Sequence, residues 1–454
     1  MKIEMLRKKY PHFFYRGYTT KRSGDDLHIF FDFAMPPDIT FRPKVVVKNV
    51  PQKLLSLVKQ PELDNLIFHL GLIEMISYWK ATASPKIVVE AGSLNKDQIA
   101  WFKDLIFQGM GEYFFQNKID FTKRNFLKIT SLVKPNYPHL GRTKITSLVR
   151  PSLQQRVIVP VGGGKDAVVT LELLKKAKVS MRPFLLNPKK EQLHILSLAK
   201  TEKPIVVERT IDPKLLELNK KGYLNGHTPF SAYLAFLTVL VGTLFDYKYI
   251  ALSNERSSNE GNVRYQGKVI NHQYSKSFDF EKKFRPYSKK YLIKDIEYFS
   301  FLRPLYELQI ARIFSKYPKY FSAFLSCNEA HKTYSGIQKP TGLPAEAQGA
   351  KAGKWCGKCA KCLFVFLVLY PFVGEKRTTA IFKKNLLEDK KLGPLLDELT
   401  GKRKFKPFEC VGTIAETRVA LALQKAKDHV MLHSWNSQHS LPRKFEHILK
   451  KAIL

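Results

Sequence analysis

Val157-Ile158-Val159-Pro160-Val161-Gly162-Gly163-Gly164-Lys165-Asp166-Ala167, continued by Val168-Val169-Thr170-Leu171-Glu172-Leu173-Leu174-Lys175, is the stretch whose reading decides the fold. A β-branched apolar run predicts a buried strand, three glycines a turn, and the remainder an amphipathic helix. Val168, Leu171 and Leu174, with Val169 beside them, give that helix a continuous apolar stripe. A glycine-rich turn from strand to helix lets backbone N–H groups approach an anion, and the helix amino end adds a favourable field. Phosphate is the expected guest, because such a turn is entropically costly to build without one.

Working outward, the chain alternates strand and helix. Met181 to Pro188, Pro204 to Glu208 and Lys248 to Leu252 read as strands, and a long helix runs to Phe245 with Thr228 as cap and Pro229 at its first position. This pattern predicts an α/β fold with a doubly wound parallel sheet over residues 151–310. Ligands of such sheets sit beyond the carboxyl ends of the strands, which points to the polar run Ser253 to Asn262. The segment Val269 to Glu281 offers an imidazole, a hydroxyl, an amine and carboxylates, and reads otherwise as a solvated loop before a helix. Were it helical, His272 and Lys276 would share one face.

Residues 1–150 form an α+β region. Leu27–Phe33, Lys44–Val47 and Lys86–Glu90 read as strands, Leu66–Trp79 as a buried helix, and Asp97–Met110 as a helix capped by Asn95; Asn136–Pro151 reads as a linker. Residues 311–454 form a mainly helical region holding the cysteines. Cys356, Cys359 and Cys362 are spaced to converge, with Cys327 or His331 as a fourth ligand. Structural zinc, an iron–sulfur cluster and plain buried thiols all fit that spacing.

A chain of 454 residues with 44% hydrophobic and 25% charged residues is long enough for two or three domains. Its net charge of +37 is spread along the sequence rather than gathered in one arm, as a polyanionic small substrate or simply a lysine-rich proteome would give, and no nucleic-acid partner is expected. Five cysteines, three of them crowded, do not make a secreted disulfide framework, and no apolar run reaches the length that spans a bilayer. The expectation is a cytoplasmic protein without membrane insertion.

The glycine turn lacks the Ser or Thr after Lys165 that a P-loop requires, and its glycines are not spaced as in a dinucleotide fingerprint. It resembles the PP-loop of the ATP pyrophosphatases, Ser-Gly-Gly-x-Asp-Ser. Gly163, Gly164 and Asp166 match that pattern, while Gly162 and Ala167 stand where it has serines. The resemblance implies an adenine nucleotide alpha hydrolase-like core that cleaves ATP to AMP and diphosphate. Gly162–Gly164, Lys165, Asp166 and Asn187 would then hold the nucleotide.

With Asn254-Glu255-Arg256-Ser257, Asn271 to Ser277, Trp355 to Cys359 and Pro407 to Gly412, the motifs resemble in order those of the UDP-N-acetylmuramoyl-L-alanyl-L-glutamate epimerase family. Ile73 to Lys80 is similar to that family as well. The resemblance implies inversion of a terminal L-glutamate on a UDP-muramoyl dipeptide through an acyl-adenylate, with ATP and magnesium. Adenylation removes the carboxylate charge that opposes loss of the α-proton and lets the carbonyl accept the electron pair. Catalysis would fall to His272, Lys276 and Glu255, and substrate binding to Asn254, Arg256, Ser257, Asn271 and Ser275. Cys327, Cys356, Cys359 and Cys362 would hold the metal, as related PP-loop enzymes hold zinc. Two rival readings remain: adenylation of a nucleobase for tRNA modification, and a non-catalytic nucleotide-binding module.

Overall fold

The computed structural model describes residues 2–131, 153–331 and 355–453, so the expected linker at 136–151 lies outside them. Thirteen strands are present among the described residues. The first six are β1 (His12–Ser23), β2 (Asp26–Met35), β3 (Ile39–Phe41), β4 (Lys44–Val47), β5 (Lys86–Val89) and β6 (Lys128–Ser131). The rest are β7 (Val157–Pro160), β8 (Met181–Leu186), β9 (Ile205–Thr210), β10 (Tyr249–Leu252), β11 (Val263–Tyr265), β12 (Lys268–Ile270) and β13 (Glu297–Ser300).

Eleven strands form one mixed sheet in the order β13-β10-β7-β8-β9-β4-β2-β1-β5-β6, with β3 on β2; β11 and β12 make a separate hairpin. From β13 to β9 every pairing is parallel. The glycine stretch follows β7, where the direction of winding reverses, so two loops diverge there and leave a crevice. At β9 the sheet continues without a break into the amino-terminal strands: β4 pairs antiparallel with β9, Val46 opposite Glu208.

Side chains alternate across each strand and fill two cores. Val157 and Val159 face one core with Val168 and Leu171 of the helix Lys165–Lys176; Ile158 faces the other with the helix Phe230–Phe245. Tyr249 and Ala251 divide from Ile250 in the same way. The core that holds Ile158 also takes the amino-terminal strands and the helix Gln60–Glu74, which lies against Phe230–Phe245. The opposite core is closed by the helices Glu307–Phe314, Ala360–Val373 and Ile414–Ala422.

Three local expectations change. The long helix begins at Phe230, with Pro229 itself at the cap position and no side chain capping it, because Pro229 holds ψ at 69°, outside the helical range. Thr228 is therefore not the cap. Leu66–Trp79 is two helices, Gln60–Glu74 and Ile76–Trp79, the first starting in a polar turn that hides its beginning. His272 and Lys276 do not share a helix: Tyr274–Lys276 is a single 3₁₀ turn, and the α-helix starts at Phe278 with Ser277 as its cap. Asn95 does cap Lys96–Gly109, in a reciprocal capping box with Gln98.

Candidate active site

The glycine turn is held from behind. Gly163 has φ +91°, a conformation side chains resist, and its carbonyl accepts the Leu325 amide at 2.8 Å. A Cβ on Gly164 would come within 3.2 Å of Ser326, whereas one on Gly162 would meet nothing within 4 Å. The front of the turn is thus open and its back is closed by residues 325–326.

Lys165 begins the helix but is only 2% exposed, and it turns inward. Its ammonium pairs with Asp166 at 2.5 Å and with Glu307. Lys361 reaches Glu307 from the other side, at 3.4 Å. The carboxylates of Asp166, Glu255 and Glu307 lie within 4.8 Å of one another. Burial works against the charge of Asp166, but Lys165 and Lys361 outweigh it and hold the carboxyl below its ordinary range. The Lys165 ammonium already sits between carboxylate oxygens, so these oxygens are oriented toward a cation. Three carboxylates this close together, beside a glycine turn with an open front, suit a hard divalent ion.

A second cluster adjoins the first. His272 Nδ1 bonds the Glu112 carboxylate, its Nε2 lies 3.9 Å from Cys410 Sγ, and Lys276 Nζ donates to that sulfur at 3.1 Å. Burial opposes charge on His272, yet hydrogen bonds with Cys410 and Glu112 raise the imidazole to about 9. Burial likewise raises the Cys410 thiol, but Lys276 and His272 prevail and bring it down to about 6. His227 stands beside His272, ring centres 4.4 Å apart. Burial, then the charges of His272 and Lys80, push it well below the ordinary imidazole range. Lys276 feels Cys410 and Glu255 together, which ties the two clusters electrostatically.

Arg303, fully buried, braces the loops that carry both clusters. It donates to the Glu255 carbonyl at 2.5 Å, to Ser258 Oγ at 2.9 Å and to the Lys276 carbonyl, and it pairs with Glu281. Glu281 is therefore a counterion in the core, not a group facing substrate. Asp279 bonds Tyr274 and Lys283 near the surface.

The remaining expected residues have varied settings. Asn254 donates to Ser300 Oγ at 3.2 Å, and Ser257 Oγ accepts the Glu307 amide at 3.3 Å. Arg256 lays its guanidinium over Tyr306, 4.3 Å from the ring centre. Asn271 bonds the Ser258 carbonyl and the Gln273 amide, holding its own loop, and Ser275 is buried. Asn187, with φ +48°, spends its amide in two bonds to the Arg209 backbone that tie β8 to β9.

Cys327, Cys356, Cys359 and Cys362 converge, all four sulfurs within 4.8 Å of one another. Cys327 to Cys359 measures 4.0 Å and Cys356 to Cys362 3.6 Å. A tetrahedron of thiolates about 2.3 Å from zinc has edges of roughly 3.8 Å, so the set fits that ion. The side chain of His331 is not among those described. This tetrad is also a junction. Cys327 follows the residues that back the glycine turn, and Lys361 within the Cys-x-x-Cys run enters the carboxylate cluster. Glu409, next to Cys410, accepts the amides of Ala360 and Lys361.

Glu307, Lys361, Glu112, His227, Arg303 and Cys410 were not singled out by sequence. Cys410 and Lys361 lay inside recognised motifs, whereas Glu112, His227, Glu307 and Arg303 carried no local signal.

Residues 4–301 match the MurL N-terminal domain family, and residues 323–446 match the MurL C-terminal domain family. The chain belongs to the MurL family. Its MurL N-terminal part supplies Glu112, the glycine turn, Glu255, His272 and Lys276; its MurL C-terminal part supplies Lys361, Cys410 and the tetrad. A protein of Xanthomonas oryzae is 33% identical over 78% of this chain and 73% of its own length. One from a Micromonospora strain is 32% identical over 88% of this chain and 83% of its own. One from Salinispora tropica is 33% identical over 87% and 80%. All three are named UDP-N-acetyl-alpha-D-muramoyl-L-alanyl-L-glutamate epimerase. No helix among the described residues is long and apolar enough to cross a membrane.

Proposed function

We propose that this protein inverts the terminal L-glutamate of a UDP-muramoyl dipeptide to D-glutamate, through an acyl-adenylate made from ATP with release of AMP and diphosphate. The observation that carries the reading is the contact between two chemistries. A glycine turn with carboxylates and lysines beside it is coupled through Lys276 to a histidine and a thiol able to move protons. The shared name of the three relatives supports the epimerisation and favours it over nucleobase adenylation.

On this reading the core is of PP-loop type, and the open front of Gly162–Gly164 receives the triphosphate with Lys165 and Asp166 below it. The inward turn of Lys165 leaves backbone amides, rather than its ammonium, as the first donors. Asp166, Glu255 and Glu307 would hold magnesium, which neutralises phosphate charge before attack. Arg256, stacked on Tyr306, suits a carboxylate or phosphate, and the dipeptide's diphosphate and carboxylates suit a chain of net charge +37. His272 and Lys276 belong to the epimerisation centre. The cysteine tetrad would hold structural zinc, and free thiols accord with a reducing, cytoplasmic setting.

Diphosphate release from ATP tests the reading. We expect it with UDP-MurNAc-L-Ala-L-Glu and magnesium, together with deuterium incorporation at the α-carbon in heavy water. Release with tRNA instead would transfer the site to nucleobase adenylation.

A further inference from the structure

We propose that the Cys410 thiolate is the base that takes the α-proton of the activated glutamyl residue, with Lys276 and the Glu112–His272 pair holding it ionised. The inference rests on the epimerase reading and assigns its proton-transfer step to a residue. Three segments distant in sequence converge on one sulfur. Lys276 Nζ lies 3.1 Å from it, His272 Nε2 lies 3.9 Å from it, and Glu112 fixes the ring through Nδ1. A thiol beside an imidazole that a carboxylate orients is an activated constellation, looser before substrate arrives than during reaction.

The electrostatics agree with the geometry. Lys276, His272 and Lys361 act on the sulfur to bring it down to about 6 against the penalty of burial. His272, facing Glu112, Cys410 and His227, is raised to about 9. Between these values the resting pair is thiolate and imidazolium. The imidazolium has no free lone pair to act as base, so the base role falls to sulfur.

In the step, the α C–H bond breaks, an S–H bond forms, and the electron pair passes onto the acyl-adenylate carbonyl. Carbon in van der Waals contact with both groups needs about 3.5 Å on each side. Sulfur and Nε2 are therefore too close to flank the α-carbon and serve one face of it. The proton that completes inversion arrives on the opposite face from a separate donor.

The test uses the full chain with Cys410→Ser and Cys410→Ala, ATP, magnesium and UDP-MurNAc-L-Ala-L-Glu in heavy water. Both variants are expected to release the first equivalent of diphosphate, which leaves as the acyl-adenylate forms and before the sulfur acts, at a rate within about threefold of the parent, while α-deuterium incorporation falls at least ~100-fold. Parental exchange in Cys410→Ala overturns the proposal, as does loss of diphosphate release together with exchange. If the parent chain itself releases no diphosphate with this substrate, it is the epimerase reading that fails. Iodoacetamide alkylation of the native parent protein, mapped by peptide mass, needs no variant. Half-maximal reaction of Cys410 near pH 6 supports the thiolate, and near the ordinary thiol value of about 8.5 it overturns it. A dipeptidyl group found on Cys410 by intact mass in quenched turnover would make the sulfur a nucleophile and overturn the role as base.

Discussion

The protein's five cysteines occupy two unlike places. Four crowd together, all their sulfurs within 4.8 Å, at the junction that backs the glycine turn. Cys410, a short step along the chain from Glu409, instead meets an ammonium and an imidazole. The same atom type stands among other sulfurs in one place and beside two cationic groups in the other, and neighbours decide what each can do. Thiolates packed against each other need a cation to hold them, whereas a thiolate beside two cations is already compensated and free to react. On the proposed reading the tetrad would carry the architecture and Cys410 the chemistry, with Lys361 and Glu409 joining the two places.

Breaking the tetrad should have the largest effect. Cys359→Ser is expected to drop bound metal from about one equivalent to near none and to lower Tm by more than ~10 °C, read by elemental analysis and thermal melting. Cys410→Ser should leave both readouts unchanged within about 2 °C, and equal losses in the two variants would erase the distinction.

Next in size is Gly164→Val. Its branched side chain presses on Ser326 behind the turn and forces the turn's backbone to shift, so ATP-dependent diphosphate release should fall at least ~100-fold with metal content intact. Unchanged turnover would remove the turn from the site.

The pH dependence sharpens the contrast further. α-Proton exchange should rise as Cys410 deprotonates through about 6, and fall as His272 loses its proton above about 9. Glu112→Gln removes the carboxylate that supports the imidazolium. The upper limb should move down toward the ordinary imidazole value of about 6.5, and the maximal rate should fall about tenfold. A profile that keeps its upper limb in Glu112→Gln would detach His272 from catalysis.

Smallest is Gly162→Ser, which puts back a hydroxyl of the PP-loop pattern where a Cβ meets nothing within 4 Å. We expect an unaltered Tm and a KM for ATP lower by about two- to fivefold, the contribution of one added hydrogen bond of roughly 0.5–1 kcal/mol.

Where the chemistry was local, the sequence carried it. Val157 to Lys175 gave strand, turn and helix because apolar period and glycine spacing are properties of consecutive residues. The Asn95 cap was legible for the same reason, since Gln98 lies three residues on. His272 and Lys276 were rightly placed near each other, though not by the helix that their spacing suggested. They meet at Cys410 through a 3₁₀ turn and a strap arriving from 134 residues further along the chain.

What the sequence by itself determined is the parallel core, the glycine turn between strand and helix, the converging cysteines and, through ordered motifs, the family. What only the tertiary structure decided is which charges share a space. Glu112 reaches His272 across 160 residues, Glu307 reaches Lys165 across 142, and the pairing of β4 with β9 makes one sheet of two regions. Neither hydrophobic period nor propensity encodes such meetings, because they depend on how distant elements pack and not on neighbours in the chain. The protonation of Cys410 follows from those meetings alone: an isolated thiol is neutral at pH 7, and the charges of Lys276 and His272 ionise it against the penalty of burial.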